Sequence, residues 1–224
     1  MKRFGLFAAA VLVFGLVGVT PSKADSIVNG SFENPNVGGG WSLFSNGSVP
    51  GWSTTDSAGL IEIDNSSVFG GGSSAYSGTQ SLEVNANNPE TVYQQVNGLT
   101  IGETYLLSWA YGNRPGSGNQ AMYVYFGDAI DTGWVATDKA NGVTSSLAWN
   151  YYSFLITADA TTEYLSFEGL TGQGGLPSYG NEVDAVSLVT PEPSTWLLLL
   201  SGLGLLGFAV LRQQRSGLSF PSAI

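Results

Sequence analysis

The chain contains neither cysteine nor histidine, and these two absences remove whole classes of chemistry. Without thiols there is no disulfide framework and no thiolate nucleophile, although export would permit disulfides. Without imidazole, zinc sites built on His and Cys, Ser/His/Asp triads and His general bases are excluded, leaving carboxylates, Tyr and Lys for acid–base work. Charge is also scarce: 11% of the 224 residues are charged, with 7 Lys and Arg against 17 Asp and Glu. Lys2, Arg3, Lys23, Arg212 and Arg215 lie near the ends. Residues 25–189 therefore hold Arg114 and Lys139 as their only cations, together with every acid except Glu192. A surface of that sign repels phosphate backbones and anionic lipid alike, which argues against nucleic acid as a partner.

Glycine (31 residues) and aromatics (12%) are plentiful, the balance of a turn-rich β protein. Asn29-Gly30, Asn46-Gly47, Asn97-Gly98 and Asn141-Gly142 are tight-turn signals. Between the turns, short segments alternate with a period of two: Ile61/Ile63, Leu82/Val84, Val92/Gln94/Val96, Tyr105/Leu107/Trp109/Tyr111, Met122/Val124/Phe126, Tyr152/Phe154/Ile156, Leu165/Phe167 and Val186/Leu188. Each places one face on a core and the other toward water. At least eight such strands, with no amphipathic helix between them, predict an all-β, two-sheet antiparallel sandwich over residues 25–189.

Both ends read as addresses. Lys2 and Arg3 precede an apolar run from Phe4 to Val19, then Pro21 and Ser22-Lys23-Ala24. This is the pattern of a secretory signal helix over residues 1–24, cleaved after Ala24. Near the other end, Trp196 to Leu211 is continuously apolar but for one Ser. As a helix it would reach roughly 24 Å against a bilayer core of roughly 30 Å, a shortfall met by thinning or snorkelling with Trp196 and the pair Arg212 and Arg215 as interfacial anchors. The reading is a single transmembrane helix over 196–211 with a cytoplasmic tail at 216–224. Pro191-Glu192-Pro193-Ser194-Thr195, followed at once by that span and the arginines, resembles the PEP-CTERM sorting signal of Gram-negative bacteria that secrete exopolysaccharide, over residues 190–215. The resemblance implies recognition by an exosortase-type transpeptidase, transient residence in the inner membrane, and delivery to the cell surface or extracellular matrix. The chain departs from the usual pattern in having only two arginines and in continuing to Ile224.

The order of landmarks in the middle is also familiar. Asn29-Gly30-Ser31-Phe32-Glu33, Gly51-Trp52, Ile61-Glu62-Ile63, the run from Gly78 to Val84, Tyr93-Gln94-Gln95-Val96, Leu99 to Tyr105, Tyr151 to Thr157 and Asp184-Ala185-Val186-Ser187-Leu188 follow one another. Together they resemble the galactose-binding-like jelly roll shared by many carbohydrate-binding modules. The resemblance implies a structural calcium held by Glu33 and Asp184, with carbonyls near Ser31 and Ser81 completing the hard oxygen set that calcium takes. The other reading is that Glu33 caps a loop and Asp184 bonds nearby amides.

Sugar binding needs an aromatic platform with polar groups around it, and the candidates in irregular segments are Asn113, Arg114, Trp134, Tyr179 and Asn181. Trp52 and Trp109 are expected in the core. Arg114 either clamps a ligand or neutralises neighbouring carboxylates. A hydrolase would need two carboxylates facing one another across a groove. Glu62, Glu83, Asp128 and Glu168 are available, with Glu62 and Glu83 expected on the solvent faces of their strands. The reading is a non-enzymatic, exported surface or matrix protein that binds extracellular polysaccharide. The alternatives are a purely structural surface protein and an extracellular polysaccharide hydrolase.

Overall fold

Alternating sequences become strands because only an extended backbone puts every second side chain on the same side. The computed structural model describes residues 26–70, 74–142, 147–171, 178–191 and Gly204. Within them lie eleven strands: β1 (Trp41–Ser45), β2 (Trp52–Thr54), β3 (Leu60–Asn65), β4 (Gln80–Glu83), β5 (Thr91–Asn97), β6 (Thr104–Asn113), β7 (Gly118–Gly127), β8 (Trp134–Gly142), β9 (Asn150–Thr157), β10 (Thr162–Thr171) and β11 (Asn181–Val189). They form a six-stranded sheet in the order β1-β3-β4-β11-β6-β9 and a five-stranded sheet in the order β2-β5-β10-β7-β8. Every pairing is antiparallel, so the expected all-β sandwich is the architecture found. The signal segment 1–24, most of the sorting motif from Glu192 to Thr195, the 196–211 span except Gly204, and Arg212 and Arg215 lie outside the described residues. Among the described residues, no helix is long and apolar enough to cross a membrane.

All eight segments expected from alternation are strands, and seven of them send apolar side chains into the core between the sheets, while edge strand β9 has no buried residue and packs Tyr152 and Ile156 against that core. Strands β1, β2 and β8 carry no such signal, for physical reasons. Strand β1 is an edge strand with no buried residue, β2 is three residues long, and β8 turns only the small Ala136 and the acidic Asp138 inward among its described side chains.

That inward carboxylate ties the layers together. Trp109 of β6, fully buried, donates its indole N–H to Asp138 Oδ2 at 2.7 Å, a bond that joins the six-stranded sheet to the five-stranded one. Around the indole, Tyr152 and Phe154 stack at 5.8 and 5.6 Å, and Phe167 of the opposite sheet meets it edge-on at 6.2 Å. Trp52 forms a second aromatic centre with Phe32 and Phe167. The segment before β1 is drawn over the core by Gln94, whose amide accepts from Val28 N at 2.7 Å and donates to Val28 O at 2.9 Å. Such a buried amide satisfies two backbone groups that would otherwise be costly to bury.

Candidate functional site

The outer face of the six-stranded sheet is not a solvent face. Because Ile61, Ile63, Leu82 and Val183 point into the core, Glu62, Asp64, Glu83 and Glu182 must point outward. Register then lines up three of them: Glu62 pairs with Glu83, Glu83 with Glu182, and Glu182 with Gly112. Like charges directly opposite one another destabilise a sheet, yet Glu83, Glu182 and Asp64 are fully buried and Glu62 nearly so. This corrects the expectation that Glu62 and Glu83 lie in water. Gly112 makes the cover possible, since a Cβ there would come within 2.7 Å of Leu147 Cδ1 and 3.1 Å of the Trp149 ring.

The repulsion is met by Arg114, just past the end of β6. Its Nη1 lies 3.0 Å from Asp64, 3.4 Å from Glu83 and 3.6 Å from Glu62, and its guanidinium carbon stands 4.2 Å over the Tyr179 ring, a cation–π contact. Tyr179 is held in turn by its hydroxyl, which donates to Pro115 O at 3.2 Å. Glu83 also accepts from Gly180 N, and Glu182 accepts from the Ser81 hydroxyl at 2.7 Å. One guanidinium does not neutralise four carboxylates. Burial, then Asp64 and Glu83, push Glu62 up to about 9; burial, then Asp64, push Glu83 up to about 7. Beside the cluster opens a cavity of about 360 Å³, lined by Trp41, Leu43, Glu62, Ala86, Asn87, Arg114, Ser178 and Tyr179.

The outer face of the five-stranded sheet has a different character. Register places Ser53, Tyr93, Ser166, Tyr125 and Trp134 in one row across all five strands. The row on one side runs Gln95, Tyr164, Gly127, and the row on the other runs Thr91, Glu168, Tyr123, Thr137. Tyr93 and Tyr164 meet at 6.1 Å and 61°, Tyr123 and Tyr125 at 6.1 Å and 75°. Between the pairs the turn after β7 folds back: Asp131 N donates to Ser166 Oγ at 3.3 Å, and Asp131 Oδ2 accepts from the Thr91 hydroxyl at 3.0 Å. Tyr125 donates to Glu168 at 2.8 Å. A groove of about 460 Å³ runs beside Tyr93, lined by Gly47, Val49, Gly51, Trp52, Ser53, Gln95 and Tyr164.

A third cluster surrounds the loop before β4. Glu33 Oε1 accepts from Thr79 N and Gln80 N at 2.7 and 2.8 Å, and Oε2 from the Thr79 hydroxyl at 2.9 Å. Asp184 accepts from Ser77 N at 2.7 Å and Ala185 N at 2.6 Å. The two carboxylates therefore grip the same loop. Burial, with a contribution from Glu33, raises Asp184 to about 7. These bonds are the arrangement in which Glu33 caps a loop and Asp184 bonds nearby amides; two hard oxygen donors at one loop are also of the type that calcium takes.

The residues singled out in the sequence separate on this framework. Arg114 and Tyr179 come together at the cavity. Trp134 stands 65% exposed at the start of β8, on the opposite sheet. Asn113 is buried and shapes the β6–β7 turn, donating to Gly118 O at 2.8 Å and accepting from the Ser117 hydroxyl. Asn181 is fully buried, accepting from Tyr111 at 2.6 Å and donating to Asn85 at 2.8 Å. Sequence reasoning missed Tyr93, which alternates outward with Val92, Gln94 and Val96, and Tyr164, which precedes the inward Leu165 and Phe167; both patterns were usable signals. It also missed that Trp41, a residue of an unrecognised strand, borders the cavity.

Comparison with known proteins gives two family matches: a carbohydrate binding domain over residues 24–173 and a PEP-CTERM protein-sorting motif over residues 189–215. Halomucin of Haloquadratum walsbyi is 27% identical over 190 residues, which are 81% of this chain and 2% of that protein. The chain thus spans a very small part of that relative's length. Among solved structures, a xylan-binding domain of the CBM22 type is 18% identical, with 70% of this chain and 97% of that one covered and a TM-score of 0.43. A CBM4 structure is 17% identical, with 74% and 100% covered and a TM-score of 0.38.

The carboxylate cluster sets an unusual pH dependence. Glu62 and Glu83 keep protons in the folded chain at pH values where the unfolded chain, titrating near 4.5, has lost them. Stability is therefore expected to fall as pH rises from about 5 to about 9, and Asp138 and Asp184, raised to about 6 and about 7, act in the same direction. Denaturant midpoints at three pH values check this, and a midpoint that climbs across the window refutes it. Arg114→Met, which leaves the carboxylates without their cation, is expected to cost about 3–5 kcal/mol at neutral pH.

Proposed function

We propose, from the premise that this chain belongs to the carbohydrate-binding-domain family and carries the PEP-CTERM sorting motif, that it is a non-catalytic module holding a neutral polysaccharide across its five-stranded sheet. Family and motif make it an exported, surface-directed carbohydrate-binding protein. The location and the class of ligand are inferred from chemistry. The observation that carries the inference is the cross-strand register that puts Tyr93, Tyr125 and Trp134 in one row, with Tyr164 and Tyr123 beside it. Aromatic rings present apolar faces to sugar C–H groups, while Gln95, Glu168 and Thr137 in the adjoining rows offer donors and acceptors to hydroxyls. The ligand is neutral because Glu168, Asp131 and Asp128 lie on or beside this face and residues 25–189 have only two cations, so a uronic acid polymer would be repelled.

A hydrolytic reading is less well supported. Glu62 and Glu83 are joined through Arg114 on one sheet, and Glu168 is bonded to Tyr125 on the other. Tyr93→Ala and Tyr164→Ala are each expected to weaken binding of a neutral xylan or β-glucan by about fivefold or more, a hot-spot effect of about 1 kcal/mol. Ile101→Ala, at an exposed turn residue, serves as the control. Titration calorimetry reads the difference; no saturable binding to neutral polysaccharide, or unchanged affinity in the double tyrosine variant, would remove the proposal.

Calcium at Glu33 and Asp184 belongs to the same reading. It would supply a crosslink between the segment before β1, the loop before β4 and β11, and no sugar contact. Calcium is expected to raise the melting midpoint of the natural chain but not of Glu33→Gln; a midpoint insensitive to both calcium and chelator ends this part. The sorting motif is read as an exosortase-type substrate that resides transiently in the inner membrane before release to the surface or matrix. Mass spectrometry of surface material should find the sandwich without residues 196–211. Recovery of the intact tail there would contradict the release step.

A further inference from the structure

We propose that the cavity on the six-stranded side, bordered by Trp41, Tyr179 and Glu62, is a second glycan site that takes a sugar bearing a free amine, with its ammonium set against Glu62. This rests on reading the domain as a sugar binder, but not on the tyrosine row, which lies on the other sheet. Three observations converge.

The first is a shortage of positive charge around Glu62, which burial and the neighbouring carboxylates meet by holding a proton on it when no ligand is bound. Of the three carboxylates paired with the single guanidinium of Arg114, Asp64 is nearest and Glu62 farthest, at 3.0 against 3.6 Å, and Glu182 stands beside Glu83 on the next strand. Behind Glu62, the fully buried Asp64 Oδ1 and Glu182 Oε1 have no amide or hydroxyl donor, and Asp64 hydrogen-bonds instead to the neighbouring carboxyls of Glu182 and Glu62. An ammonium entering beside Glu62 would take the place of its proton, which leaves to solvent as the ion pair forms, and would improve the potential at the carboxylates behind it.

The second is position. Of the four, Glu62 alone lines the cavity, so a ligand meets this carboxylate first. The third is shape. At about 360 Å³ the cavity falls at the small end of organic-ligand pockets, and its walls include Trp41, 53% exposed on edge strand β1, and the Tyr179 ring. A bare metal ion would leave those walls unused. It would also compete with Arg114: the carboxylate oxygens of Glu62, Asp64 and Glu83 lie within 4.8 Å of one another, but Nη1 already stands among them. An ammonium on a sugar ring satisfies both halves of the site, the ring against aromatic and apolar wall and the charge against Glu62. The same chemistry rejects carboxylated sugars.

Titration calorimetry of the full chain with three β-1,4-linked hexamers tests the assignment: glucosamine with free amines, N-acetylglucosamine, and glucose. The glucosamine hexamer is expected to bind at least about tenfold more tightly than the other two. Glu62→Gln and Trp41→Ala should abolish that preference and leave glucose-hexamer binding unchanged, while Tyr93→Ala should weaken the glucose hexamer and spare the preference. Trp41 is exposed on an edge strand, so its variant should keep the natural melting midpoint. Equal affinity for the three hexamers, or a preference that survives Glu62→Gln, would overturn the assignment. So would its abolition by millimolar calcium but not by sodium chloride of equal ionic strength, which would make the cluster a metal site. Loss of glucose-hexamer binding alone would count against the tyrosine face and not against this cavity.

Discussion

The structure depends on one guanidinium standing over a row of carboxylates that sheet register has forced together. Glu62, Glu83 and Glu182 are neighbours because β3, β4 and β11 are neighbours, and Asp64 is two residues from Glu62 on the same strand. Once Ile61, Ile63, Leu82 and Val183 are committed to the core, these acids have nowhere else to point. Covering them without a counter-charge would be prohibitive. Arg114 supplies the charge, Tyr179 holds its flat face, and a backbone bond from Arg114 N to Gly180 O, with a bond from Gly180 N to the Glu83 carboxylate, fastens these segments. A buried ion cluster of this kind adds little net stability, but removing one partner is severe.

The two outer faces have diverged from one architecture. On the six-stranded side polar groups are buried under loops and the chemistry is electrostatic. On the five-stranded side the groups between core and water are tyrosines, arranged in rows and held by side-chain bonds such as Tyr125 to Glu168 and Thr91 to Asp131. Between them the aromatic interior, centred on Trp109 and its bond to Asp138, keeps the sheets in a fixed relation. Aromatic residues thus serve as packing material inside the sandwich and as contact surface outside it, and burial rather than residue type separates the roles. Trp52 and Trp109 are within 1% of complete burial, whereas Trp41 and Trp134 are more than half exposed.

Much of the fold was legible because alternation is a local property. Eight strands announced themselves through side chains two residues apart, and the expected burial of Trp52 and Trp109 followed from size and position. Strand β8 was hidden because Asp138 occupies an inward position, and its partner Trp109 is 29 residues away. Glu62 and Glu83 looked like surface residues because each lies opposite an isoleucine- or leucine-bearing face; nothing near them in the chain reveals that Arg114, 31 residues beyond Glu83, lies over both. Asn113 and Asn181 had the composition of ligand contacts in glycine-rich segments, but they instead organise a turn and a buried amide pair.

By itself the sequence determined the all-β class, the inward faces of most strands, the excess of acids over cations, the absence of thiol and imidazole chemistry, and the sorting motif after the last strand. Each of these is encoded in composition or within a few consecutive residues. Only the tertiary structure decided that tyrosines from β5, β7 and β10 form one surface, that four acids share one arginine, and that Trp41 borders a cavity with Tyr179. Those juxtapositions depend on which strands pair and in what register, and pairing is settled by the cooperative packing of residues far apart in the chain.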